Sequence, residues 1–409
     1  MMTDSTLLSY RLKRIKPSPS IAANELVGKL RSEGKDIINF TIGEPDFDTP
    51  QHIIEAAVTA MRQGETHYTP ASGTVALRKA IAQKLQRDNH LTYGLDEIVC
   101  GSGGKHIIFH AFAATLNAQD EVIIHAPYWV SYPDLAVLND AFPVVIEGDS
   151  VNQFKLTPEA LSKAITPSTK WVVLNYPNNP SGAVYSADEL RELAVVLRQH
   201  PHVLIMLDEI YEHFVYGEHQ HISMAAVAPD LRERILIVNG ASKGYAMTGW
   251  RLGFGAGPAW LIAAMAKLLS QTTTCPASVS QAAAVAAFAG DQQPVKAMLE
   301  IYKARRDVIV SALSEIPGIR FAPPAGAFYL YVDVSGLLGK VTASGKVLGS
   351  DDDVVEYLLT DGGVATVGGR AYGMSPFLRI SFASSLDAIN EGCRRIRAAI
   401  DKLNASPMC

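Results

Sequence analysis

The segment from Glu233 to Gly253, ERILIVNGASKGYAMTGWRLG, carries a β-branched apolar run that leads into Lys243 and then into a glycine-flanked Arg251. An unbroken run of Ile, Leu and Val predicts a strand buried on both faces, as in parallel sheets covered by helices. A lysine delivered at the end of such a strand is desolvated. Its amine then loses its proton more readily and becomes a nucleophile able to form an imine with an aldehyde. Arg251 adds a neighbouring positive charge that acts in the same direction, and its planar fork matches a phosphate through two parallel hydrogen bonds. A Lys and an Arg near glycines are by themselves common on solvated surfaces; the preceding buried strand turns the reading toward a site.

The same stretch spells a second motif. Gly240-Ala241-Ser242-Lys243-Gly244 fits the G-x-S-x-G elbow of serine hydrolases. In that fold the acid and then the histidine follow the serine, whereas all 11 histidines here lie at or before His221. The chain order excludes a hydrolase triad on Ser242.

Outward from this segment, residues 51–310 alternate helical patterns with short apolar runs. These are EIVCG (97–101), EVIIHAP (121–127), PVVIEGD (143–149), KWVVLNYP (170–177), HVLIMLDEI (202–210), ILIVNGAS (235–242) and RLGFGAG (251–257). The alternation predicts an α/β fold, a mainly parallel sheet wrapped by helices. Ligands in such folds gather at the carboxyl ends of the strands. Tyr128, Trp129, Asn179, Asp208, Tyr211, Ser242 and Lys243 all fall there. Past the helical segment from Val295 to Leu313 the chain changes to GIRFAPPAGAFYLYVDV, a Gly/Ser/Lys linker and a helix opening at DDD, which reads as a separate α+β layer. The isolated strand DIINFT near the start has no βα partner and joins it. The expected division is an N-terminal arm and part of a small domain over 1–48, a large domain over 49–311, and the rest of the small domain over 312–409.

Composition narrows the function classes. A net charge of -5 with both signs interspersed leaves no basic face for nucleic acid and no polybasic membrane patch. The N-terminus has an early acid and no apolar core of signal-peptide length, and no apolar run reaches the ~18 residues of a membrane span. The four cysteines, Cys100, Cys275, Cys393 and Cys409, show no C-x-x-C spacing, so a reducing cytoplasmic setting is expected and neither a disulfide framework nor a zinc site. The pairs His200/His202 and His219/His221 are read as solvated loop residues, and no metal site is expected.

Small-molecule chemistry remains, and three further segments give it shape. In CGSGGKHIIFHAF a strand runs into a helix, so the backbone N–H groups of Gly103, Gly104 and Lys105 can face an anion at the helix N-terminus. As a dinucleotide fingerprint it fails, since the third glycine falls at His106; as a P-loop it fails, since no Ser or Thr follows Lys105; and Ser102-x-x-Lys105 lacks the companion motifs of a β-lactamase. In LIMLDEIYEHF, Asp208 ends a buried strand, where an ionised carboxylate needs a cationic partner such as a protonated pyridine nitrogen; a helix N-cap is the plain alternative. In NYPNNPSGAVYS, Asn179-Pro180 with Gly182 makes a turn, and Trp129 either lies on a ring or packs the core. Pyridoxal 5'-phosphate (PLP) offers the aldehyde, the phosphate and the pyridine that these features fit together.

With those residues quoted, the chain resembles a class I aminotransferase of the aspartate aminotransferase family, fold type I among PLP enzymes, over nearly its whole length. It is most similar to the bacterial subgroup with GEPDFDTP, YWVSYP, NNPSG, DEIYE, SKGYAMTGWRLG and RISFA. The resemblance implies that Lys243 forms the imine with the cofactor and shuttles the substrate proton. It implies that Asp208 pairs with the pyridine nitrogen, that Tyr211 and Asn179 bond the ring oxygen, and that Trp129 stacks on the ring. Gly104, Lys105, Ser242 and Arg251 would hold the phosphate, with Tyr68 of THYTP reaching in from the other subunit of a homodimer. Arg379 of FLRISFA, with Gly43 and Asn179, would grip the substrate α-carboxylate. Ser20 and Lys105 match residues that contact a distal carboxylate. The chain departs from its relatives at TVGGRAYG, where Arg370, if it faces the site, adds positive charge and strengthens a preference for acidic substrates or for another carboxylate-bearing partner such as prephenate.

The expected reaction is therefore amino-group transfer between an L-amino acid, aspartate first, and a 2-oxo acid, 2-oxoglutarate first, by a ping-pong route. The alternatives are a PLP-dependent carbon-sulfur lyase, which the same residues support when the substrate carries a leaving group, and an aminotransferase preferring aromatic amino acids or prephenate. A non-enzymatic regulator would need an added DNA-binding domain, and none is expected here.

Overall fold

All seven apolar runs form strands, and they share one sheet. The protein is described by a computed structural model over residues 7–17 and 19–405, with the side chains of Ser20, Asn404 and Ala405 outside the described part. In chain order the strands are β1 (Ile38–Asn39), β2 (Ile98–Gly101), β3 (Glu121–His125), β4 (Phe142–Ile146), β5 (Thr169–Asn175) and β6 (Leu204–Asp208). They continue as β7 (Ile235–Gly240), β8 (Gly253–Ala256), β9 (Tyr329–Asp333), β10 (Val364–Ala365), β11 (Val367–Gly368) and β12 (Phe377–Ser381).

The large sheet has the order β2-β8-β7-β6-β5-β3-β4. Its neighbours from β7 to β4 run parallel, and β8 alone is antiparallel, to both β7 and β2. Alternate residues along each strand point to opposite faces, and the two faces bury separate apolar layers. Val172, Leu174, Ile205, Leu207, Ile235 and Ile237 pack on one side with Leu77, Ile81 and Leu190. Trp171, Val173, Met206, Leu236 and Val238 pack on the other with Ile108, Phe112 and Met265. Helices on both faces explain why these strands read as continuous apolar runs and show no polar alternation. Local signals start the helices. Ser186 and Glu189 form a reciprocal capping box before Ala187–Arg198, and Thr74 caps Val75–Asn89.

The remaining strands make a three-stranded antiparallel sheet, β11-β12-β9, and a parallel pair, β1-β10. The isolated strand near the start thus pairs with the C-terminal part, Ile38 opposite Val364. At the far end of β12, the Ser381 N–H donates to Phe40 O at 2.9 Å. The architecture is the expected mainly parallel α/β sheet with a smaller antiparallel sheet.

Candidate active site

The parallel strands end side by side. Asn175 of β5 lies in register with Asp208 of β6, and β7 runs past them into Ser242 and Lys243. A cavity of about 740 Å3 opens over these ends. Gly104, Lys105, Trp129, Asn175, Asn179, Asp208, Tyr211, Ser242, Lys243 and Arg251 line one side of it. Thr41, Gly43, Glu44, Tyr329 and Arg379 line the other, together with residues of the helix Pro19–Ser32.

Lys243 is half-buried on the floor, and its Nζ donates to the Gly43 carbonyl at 2.6 Å. Burial brings its amine down to about 8; Glu44 opposes this, while Arg379 and Arg251 add to it. The desolvated, cation-flanked lysine expected from sequence is therefore present. Asp208 is only 6% exposed. The Tyr132 hydroxyl donates to its Oδ2 at 2.5 Å, and Oδ1 accepts the Ile210 N–H at 3.3 Å. Burial pushes this carboxyl up to about 6 against the pull of those two donors. The N-cap alternative is not adopted: no helix starts at Asp208.

Close backbone approach shapes the helix N-terminus that was expected to face an anion. β8 starts beside the end of β7, with Gly253 opposite both Gly240 and Gly101. A Cβ on Gly253 would sit 2.4 Å from the amide nitrogen of Gly104, the first residue of the helix Gly104–Thr115. Gly103 adopts φ +94°, and a Cβ there would meet Arg251 Nη2 at 2.4 Å. The missing side chains let Arg251, in a left-handed turn at φ 55°, lie against the helix N-terminus, where its Nη2 donates to Ser102 O at 3.2 Å. Lys105 Nζ stands 4.9 Å from the centre of the Trp129 ring.

Arg379 reaches in from β12 and is 2% exposed. Nη1 donates to Asn179 Oδ1 at 3.2 Å and Nη2 to Thr41 O at 2.7 Å. The guanidinium lies 4.5 Å from the Tyr329 ring centre and 5.2 Å from that of Tyr372. Its Nε is buried without a hydrogen-bond partner. Tyr211, whose phenol burial raises far above its usual range, shares a 2.9 Å hydrogen bond with the Tyr329 hydroxyl.

Two residues given a site role from the sequence, Tyr68 and Arg370, do not line this cavity. Tyr68 is 86% exposed and borders a separate surface hollow with Thr273 and Cys275. The Arg370 side chain is 68% exposed and faces Asp352 at 3.6 Å, so the extra positive charge expected from it is not delivered to the cavity of its own chain. Ser20 lies in the helix Pro19–Ser32, but its side chain falls outside the described residues. His221 is also corrected: its side chain is buried, with Nε2 3.4 Å from Glu209 Oε2, where a solvated loop was expected. Sequence reasoning missed Tyr132, Asn175, Thr41, Glu44 and Tyr329. The available signal for Tyr132 was indirect, since a buried Asp208 demands a donor. It also missed the support beneath the site. Glu212 is buried and accepts from Lys84, Asn89 and Asn239, which ties the turn after β6 to the end of β7. Burial opposes ionisation of Glu212, yet Lys84 and its other partners hold the carboxyl far below its usual range.

A covered parallel sheet carries at its carboxyl edge a lysine of lowered basicity, a buried carboxylate and a buried arginine around one cavity of small-molecule size. Comparison with known proteins gives the family. Residues 35–396 match the model for aminotransferase class I and II, and the chain belongs to that family and is an aminotransferase. It is 48% identical over 394 residues to the aspartate aminotransferase of Rhizobium meliloti (strain 1021), covering 96% of each chain. It is 46% identical over 390 residues to the probable aspartate/prephenate aminotransferase of Rhizobium leguminosarum bv. phaseoli, covering 95% of this chain and 98% of the relative. The crystal structure of the Rhizobium meliloti aspartate aminotransferase superposes with a TM-score of 0.94 at 47% identity, over 97% of this chain and 99% of that one. That of the Thermus thermophilus aspartate aminotransferase with maleate gives 0.89 at 39%, over 96% and 99%.

Proposed function

We propose that the protein moves an amino group between L-aspartate and 2-oxoglutarate with PLP as cofactor, by a ping-pong route. The observation that carries this reading is that Lys243 and Asp208, from the ends of neighbouring strands of the large sheet, share one cavity with Arg379 from the small one. The cavity suits the cofactor. The Gly103–Gly104 approach and Arg251 form an anion cradle, Asp208 is a buried carboxylate for a ring cation, and the orphaned Arg379 Nε awaits an acceptor. PLP, when bound, supplies an aldehyde and an electron-withdrawing ring that takes up the electron pair of a broken Cα–H bond.

Gly104, Lys105, Ser242 and Arg251 hold the phosphate in this reading. Asp208 balances the ring nitrogen, Trp129 covers the ring, and Tyr211 and Asn179 bond its oxygen. Lys243 would hold the cofactor through its Nζ and, when free of it, would take and return the proton of the substrate α-carbon. Its lowered basicity lets it serve in both roles near neutral pH. Arg379 binds the α-carboxylate, beside Gly43 and Asn179. Lys105, which lines the cavity, and Ser20 are the proposed partners of a distal carboxylate, and the maleate seen with the Thermus relative is a dicarboxylate of that kind. The relatives named aspartate/prephenate aminotransferase favour prephenate as a second partner.

The exposed Tyr68 fits the reading in which a second copy of the chain supplies it, so a homodimer with shared sites follows. The expected division of the chain, 1–48 with 312–409 against 49–311, is supported by the β1–β10 pairing. We keep the reducing cytoplasm as the proposed setting; among the described residues no helix is long and apolar enough to cross a membrane. The test is the absorbance spectrum of PLP-loaded protein before and after L-aspartate alone, with Lys243→Ala as control. Conversion to the amine form of the cofactor, reversed by 2-oxoglutarate, is the expected result. A spectrum that aspartate leaves unchanged removes the dicarboxylic reading.

A further inference from the structure

We propose that Tyr132 is a positioning residue whose hydroxyl holds Asp208 as a charged carboxylate for the cofactor ring nitrogen. This rests on Asp208 being the partner of that nitrogen. Tyr132 comes from the helix Ser131–Leu138, on a different element from Asp208, and both side chains are buried. The 2.5 Å contact from hydroxyl to Oδ2 is a short charge-assisted hydrogen bond, the kind worth roughly twice a neutral one. Among the described residues no other donor matches it: Oδ1 has the longer Ile210 N–H.

The charged and titratable groups facing Asp208 come from three elements. Glu209, its chain neighbour, disfavours the anion, and Lys243 after β7 favours it. The phenols of Tyr132 and Tyr211 stay protonated, both raised far above their usual range by burial and, to a smaller degree, by Asp208 itself. The bonding proton therefore belongs to Tyr132, and the charge to Asp208. Burial alone pushes the carboxyl upward, and the hydroxyl opposes it. Without the hydroxyl, the acid would hold its proton to higher pH, and a neutral acid cannot balance a protonated pyridine. Tyr132→Phe removes that donor and keeps the ring that packs edge-on against Trp129 at 5.3 Å.

The experiment measures the PLP dissociation constant of the full-length protein against pH, with the ring nitrogen followed by NMR using 15N-labelled cofactor. Tyr132→Phe is expected to weaken binding about ten-fold at pH 7 and to move the acid-side midpoint of cofactor retention upward by about one pH unit. The nitrogen signal should shift toward the unprotonated form. Tyr132→His, which restores a ring N–H donor, should return the midpoint toward the parent's. Tyr185→Phe, which removes a buried hydroxyl bonded to Leu156 N at 2.7 Å, should leave the midpoint in place and so controls for packing. In an Asp208→Asn background the Phe substitution should no longer move it. If Asp208→Asn weakens binding while Tyr132→Phe leaves midpoint and nitrogen signal unchanged, the role given to Tyr132 is overturned. If Asp208→Asn itself binds like the parent, the assignment of Asp208 falls first, and Tyr132 with it.

Discussion

Arg379→Lys keeps a positive charge on β12 and removes only the planar fork, so it isolates what the guanidinium does for a substrate carboxylate. A guanidinium has five N–H donors. Two of them are used within the protein, on Asn179 Oδ1 and Thr41 O, and Nε–H, which is buried, has no partner. The remaining donors suffice for two parallel bonds to a carboxylate. A lysine has three donors at one point; with Asn179 and Thr41 still to satisfy, it has one left. One charge-assisted bond is lost, costing about 1.5–3 kcal/mol, which is about 10- to 150-fold in kcat/KM. Amino acid and oxo acid present the same carboxylate, so both half-reactions should slow by a similar factor, while PLP affinity and spectrum stay unchanged. The assay is stopped-flow measurement of each half-reaction with aspartate and with 2-oxoglutarate. A loss below about threefold in both, or a loss confined to one substrate, refutes the placement of the carboxylate on Arg379.

Three further outcomes follow from the buried charges. With its amine brought to about 8, Lys243 of the cofactor-free protein is unprotonated in about one molecule in ten at pH 7. The rate of covalent PLP uptake should therefore climb about tenfold per pH unit below 8 and level off above it; a rate still climbing at pH 10 contradicts the lowered value. The Asp208 carboxyl is raised in the folded state from 3.8 to about 6, so the folded protein binds the extra proton, and that contribution to stability is lost as pH rises through this window. Asp208→Asn should accordingly stabilise the cofactor-free protein at pH 7 by up to about 3 kcal/mol in urea unfolding, with no gain at pH 3.5. Lys84→Met strands the buried Glu212 charge and should cost about 3–5 kcal/mol, much of it recovered when Glu212→Gln is added; equal losses in the single and double variants would show that the ion pair is not the cause.

The sheet was legible because seven runs had no polar alternation, which only a doubly covered strand tolerates. Lys243 and Asp208 were legible for a related reason, since a charge at the end of an apolar strand is a conflict that demands a partner. The partner itself was not legible. Tyr132 meets Asp208 across 76 residues of chain, and Tyr329 meets Tyr211 across 118; no local spacing encodes either meeting. The burial of Arg379 had no local signal, because β12 is the middle strand of its sheet and the guanidinium meets Thr41, Asn179, Tyr329 and Tyr372, all separate from it in the chain. Lys84 was open to the same reasoning as Asp208, since it sits on the stripe Leu77–Ile81–Lys84–Leu85 of its helix, a charge on a buried face. Tyr68 has no role visible within one chain because its proposed target lies on another.

Three unfavourable terms of this molecule lie around the one cavity. Asp208 is an acid held in apolar surroundings, Lys243 an amine deprived of water, and Arg379 a guanidinium with an orphaned N–H. Each costs stability in the empty protein, and each is relieved by one group of the proposed ligands: ring cation, aldehyde and carboxylate. Strain of this sort persists only on a scaffold that cannot relax around it. The Glu212 network with Lys84, Asn89 and Asn239 supplies that rigidity by fixing the turn that carries Asp208 and Tyr211 to the strand that delivers Lys243. In the proposed reading, binding energy and preorganisation have the same structural source, because each of these buried groups is held in place for a complementary group of the ligand.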